Sequence, residues 1–90
     1  MLELEQAFGV TARLREVRDT MKEFLGDGYD SRCRDWQEVL RSQMRTHGCS
    51  ALLAATRIIN ADFPDNGSAQ AMLVSAAVEL TEAGVGPENA

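Results

Sequence analysis

One histidine and two cysteines bound the nucleophilic and metal chemistry open to this chain. Cys33, His47 and Cys49 offer thiolate and imidazole, which are zinc ligands or the two halves of a thiol–imidazole nucleophile. Their spacing supports neither. The sequence has no CxxC or HxxxH pair, and His47 and Cys49 straddle Gly48, a helix stop from which two side chains diverge as readily as they converge. A nucleophile would also need a third group to orient the base, and no motif supplies one. The plainer reading is a buried small thiol and a histidine near a helix C-terminus, where positive charge is favoured. Asp62 and Asp65 flank Phe63-Pro64 as cap and turn residues do. Neither GxGxxG nor GxxxxGK[ST] is present. The expectation is no enzyme activity, no metal and no cofactor.

The run Asp27–Glu38, "DGYDSRCRDWQE", has the length and the acidic ends of a calcium loop. Such a loop needs oxygen ligands at positions 1, 3, 5 and 12 and glycine at 6. Here position 3 is Tyr29, position 6 is Arg32, and Arg34 replaces the usual aliphatic at 8. Counting from Asp30 puts arginines at positions 3 and 5. Two guanidinium groups exclude a dication. The run reads instead as a glycine stop at Gly26-Asp27-Gly28, an exposed Tyr29, and an Asp30 or Ser31 cap opening an arginine-bearing helix.

The elements that carry these residues are helical. With 90 residues the chain is one domain, and hydrophobic (44%) and charged (26%) fractions place it among globular rather than disordered sequences. Ala, Leu, Glu, Arg and Gln dominate, a helix-forming mixture. In the first helix Ala7, Val10, Leu14, Val17, Met21 and Phe24 recur at three and four, a heptad-like seam. Arg15 and Asp19 are spaced to pair. Gly9 leaves two starts open, near residue 3 or near Thr11. The second helix places Cys33, Trp36, Leu40 and Met44 on one stripe and Arg34, Glu38, Arg41 and Arg45 on another, and ends at Gly48. Ser50 caps the third, "ALLAATRIINADF", which is apolar on nearly every face and so reads as buried. "PDNG" at 64–67 is a turn. The fourth helix runs from about Ser68 to Ala83, with Val74 and Val78 opposite its main apolar side. The expected architecture is all-α: a small antiparallel bundle of about four helices, the third one central, over residues 1–84, with 85–90 a disordered tail.

Charge is unevenly spread around the net −5. Residues 1–31 carry −3, residues 32–57 carry +3, and residues 58–90 carry −5 with no base at all. The N-terminus is acidic where a secretory signal would be basic, and the longest uncharged stretch, 66–78, is too short to span a bilayer. A cytoplasmic protein with free thiols and no membrane partner is expected.

Three function classes remain. "EVLRSQMRTHGCSALLAATRII" reads helix, glycine turn, helix, so a nucleic-acid-binding regulator is one alternative. Met44 stands where that motif wants alanine, the second of these helices has little to read base edges with, and net charge opposes the phosphate term. A small-ligand-sequestering oligomer is another alternative, without positive support. The leading expectation is a non-enzymatic regulatory or inhibitory protein acting by protein–protein contact. Phage anti-defence and bacterial anti-activator proteins include small acidic helical chains, an analogy of size and composition alone. Tyr29, Arg34, Arg41 and Arg45 are the expected contact residues for a partner with an acidic surface. The apolar excess predicts a homodimer, with Val10, Leu14, Val17, Met21, Met72, Val74 and Val78 at its interface.

Overall fold

A computed structural model describes residues 10–90. They form helices α1 (Ala12–Leu25), α2 (Tyr29–His47), α3 (Ala51–Asp62) and α4 (Gly67–Glu82), with a 3-10 turn at Gly26–Gly28. No strand occurs among the described residues, so the all-α class holds. Ala7 and Gly9 lie outside the described residues.

Side-chain caps set three of the helix starts. Thr11 is extended, and its hydroxyl accepts from Leu14 N at 3.2 Å, so α1 begins directly after it. Ser50 does the same for α3, accepting from Leu53 N at 3.2 Å. Asn66 Oδ1 accepts from Ala69 N at 3.1 Å, which starts α4 at Gly67, one residue before the expected Ser68. Each oxygen satisfies an amide that the helix itself leaves free. Gly48 ends α2 in the left-handed region, at φ 60° and ψ 41°.

The start of α2 departs from expectation. Neither Asp30 nor Ser31 caps it. Gly26 makes the break with φ 54°, and Gly28 is already right-handed at φ −78°, ψ −12°. The chain passes from the 3-10 turn straight into α2, whose first residue is Tyr29. The stretch that resembled an ion loop is therefore mostly helix, and at 1.5 Å per residue Asp27 and Glu38 lie far apart along its axis.

The centre of the bundle is α4, not α3. Met72, Leu73, Ser75, Ala76, Ala77, Val78 and Leu80 are all buried, and α1, α2 and α3 each pack on this helix. Small residues around its circumference let three neighbours approach. The hydroxyl of the fully buried Ser75 donates to Ala71 O at 2.8 Å, so no polar group is stranded. In α3 only the stripe Ala51, Ala54, Ala55 and Ile58 is buried, and Leu53 is 49% exposed. Its apolar composition exceeds what it buries. α2 contributes Tyr29, Cys33, Leu40 and Met44 to the core. Trp36 is half-buried and meets the Phe63 ring edge-on, with centroids 5.7 Å apart at 86°.

Residues 85–90 are not a loose tail. Val85 N donates to Leu80 O at 3.0 Å, Gly86 N to Asn89 Oδ1 at 2.6 Å, and Val85 and Ala90 pack against the core. Among the described residues no helix is long and apolar enough to cross a membrane.

Candidate functional site

The arginines divide into two sets by what they touch. Arg15 Nε lies 2.7 Å from Glu82 Oε2, and Arg18 Nη1 lies 3.0 Å from Glu82 Oε1 and 3.6 Å from Glu79 Oε1. These pairs fasten α1 to α4. The expected Arg15–Asp19 pair does not form, because Asp19 goes to Arg18 Nε at 2.6 Å and Arg15 reaches across to α4. Hydrogen bonds from Arg15 first and Arg18 second hold the Glu82 carboxyl below its ordinary ionisation range. The same contacts raise Arg18 further above its usual value, the Asp19 bond contributing most.

The second set has no such partners. Like Arg13, Arg32 and Arg57, the three α2 arginines Arg34, Arg41 and Arg45 have no Asp or Glu side-chain oxygen within 4.0 Å among the described residues. Intervals of seven and four keep them on one stripe of α2, which Glu38 shares. Arg34 and Arg45 are exposed and Arg41 half-exposed. Arg45 Nη1 donates to Ala90 O at 2.9 Å, so this member also clasps the folded-back end of the described chain. Arg34 borders a recess of about 360 Å³ lined by Lys22, Tyr29, Asp30, Cys33, Gln37 and Glu79.

Tyr29 is not the exposed aromatic that was expected. It is 2% exposed, and its hydroxyl donates to Glu79 Oε2 at 2.8 Å. Burial foremost, then the neighbouring Cys33 and Glu79, push its phenol well above its ordinary pKa. Lys22 Nζ sits 5.9 Å from the ring centroid. Gln37 Nε2 donates to the buried Cys33 Sγ at 3.3 Å. Cys33 and Cys49 are free thiols in the core, and among the described residues no three His, Cys, Asp or Glu side chains converge as a metal site.

The expected dimer residues also part company. Met72 (5% exposed) and Val78 (0%) are buried inside the bundle and cannot meet a second chain. Val10, Leu14, Val17, Met21 and Val74 are half-buried. The exposed large apolar residue of α1 is Phe24, at 79%. Sequence reasoning placed it on the seam but passed over it as a surface residue. Glu79 and Glu82 were also missed; their spacing of three on a helix otherwise free of charge was the available signal.

Comparison with protein-family models, with curated proteins and with solved structures finds no match for this chain.

Proposed function

We propose that this chain acts without catalysis, as a small regulatory or inhibitory protein that binds another protein through the α2 stripe Arg34–Arg41–Arg45. One observation carries the reading: in a protein of net charge −5, these three guanidinium groups share one stripe and pair with no Asp or Glu side chain among the described residues. Arginine with its planar fork suits bidentate recognition of carboxylates, so the partner presents an acidic patch. Tyr29 drops out of the contact set, since it is buried, and acts instead by holding the start of α2 against Glu79.

The test is capture of partners from native lysate, identification by mass spectrometry, and reconstitution with the purified partner. Arg34→Glu/Arg41→Glu abolishes binding while the helical circular dichroism is unchanged. Unaltered binding by that variant removes the stripe from the interface. Binding to duplex DNA with a steep logarithmic salt slope would replace the protein partner by nucleic acid.

A further inference from the structure

Among the described α-helices, α1 alone has no fully buried side chain. Its inner side, Leu14, Met21 and Leu25, is half-buried, with Arg15 and Arg18 tied to α4. Arg13, Val17, Thr20 and Phe24 follow one another at four, three and four, so they share a second stripe turned away from that contact. Beside it runs an open groove of about 380 Å³ with an apolar floor of Val17, Met21 and Ala71 and a polar rim of Arg13, Glu16 and Thr20. Phe24 does not fill it; that ring projects beyond the groove and is 79% exposed. An apolar knob and an apolar groove thus lie side by side, each unmatched within the described chain.

We propose that a second copy of the chain covers this face, with the two α1 helices antiparallel about a two-fold axis. A two-fold interface must be self-complementary: what residue i does to j, j does to i. The charges on this face meet that condition. Arg13 and Glu23 stand about 15 Å apart along α1, are exposed, and have no ion-pair partner among the described residues. An axis midway between them sets Arg13 of each copy against Glu23 of the other, two opposite-charge pairs with Glu23 at the border of the face, about 80° round the helix from Arg13. The same axis brings Phe24 of each copy level with Ala12 of the other, at the Arg13 end of its groove. A parallel arrangement would set Arg13 against Arg13 and leave both grooves empty. The pairing makes no use of the α2 stripe, so its failure and that of the partner reading are separable.

Sedimentation velocity over a concentration series tests the pairing, using the full chain. The wild type is a dimer at tens of micromolar. Phe24→Glu weakens the dimer roughly tenfold or more, as loss of a buried aromatic anchor does. Arg13→Glu and Glu23→Arg each weaken it by setting like charges together, and Arg13→Glu/Glu23→Arg restores it to within about twofold of wild type. Circular dichroism confirms that each variant keeps its helix content. A wild type that stays monomeric overturns the proposal, as does a dimer indifferent to Phe24→Glu or a double variant no better than the single ones.

Discussion

Tyr29 is the one tyrosine of the chain, so its absorbance reports a single site. Its hydroxyl must be the donor to Glu79, because a carboxylate only accepts. With its folded pKa raised above the ordinary 10.0, Tyr29 contributes stability that is whole below that value and is lost as pH rises through the folded one. Deprotonation should therefore appear only as the helices melt. In an alkaline titration, tyrosinate absorbance and loss of helical circular dichroism should coincide. A phenol that titrates at its ordinary value in an intact helix would contradict the burial. Tyr29→Phe should remove most of this alkaline dependence and cost about 1 kcal/mol at neutral pH, because Glu79 keeps Arg18 nearby. The sequence could not show this role. Tyr29 stands among glycines, where a side chain is usually outside, and the group that draws it in is fifty residues away.

The elements divide into those that local chemistry writes and those that it does not. Ser50 and Gly48 were legible because a cap needs only its own neighbours, whereas the start at Thr11 was one of two that the sequence left open. The centrality of α4 was not legible. Val74 and Val78 fall opposite its main apolar side, which reads as a second surface when a helix is seen alone; packed, they belong to a helix surrounded on several sides. α3 carried the stronger apolar signal and buries a narrower stripe. Leu73 is 0% exposed at this centre, so Leu73→Ala should cost about 2–5 kcal/mol, a large fraction of a small domain's stability; urea unfolding followed by the fluorescence of Trp36 would measure it. α1 is the element held most from outside. Glu82 titrates below its ordinary 4.5, so its contribution is present above that pH and lost as pH falls through the folded value. Hydrogen exchange should show α1 amides losing protection on acidification before those of α2. Glu82→Gln should produce the same loss at neutral pH, and equal protection of α1 in wild type and variant would show that the two arginines do not need that charge.

Across the described helices, acidic and basic residues are mixed on α1, α2 and α3 but not on α4. α4 carries only acids, and its two glutamates sit against Arg15 and Arg18 of α1. The sequence disclosed the imbalance of charge but not which arginines it neutralises, because that depends on which helices cross. The −3, +3, −5 profile alone suggests that all five middle arginines are equivalent, and the fold distinguishes them. Arg34, Arg41 and Arg45 line one side of α2, Arg32 lies on another, and Arg57 belongs to α3. Two mechanisms of partner selection then make different predictions. If the field of the whole protein steers the encounter, any two reversals that change the net charge equally have equal effects, and those effects fade with salt. If the stripe makes the contact, place matters more than charge. Arg32→Glu/Arg57→Glu changes the net charge as much as Arg34→Glu/Arg41→Glu does and leaves the stripe whole. The off-stripe pair should lower only the association rate, an effect that salt screens. The on-stripe pair should raise the dissociation rate as well, at low and at high salt. Surface plasmon resonance with the reconstituted partner at two ionic strengths separates them, and matching rate constants for the two variants would mean that the stripe is part of a general field and not a binding face.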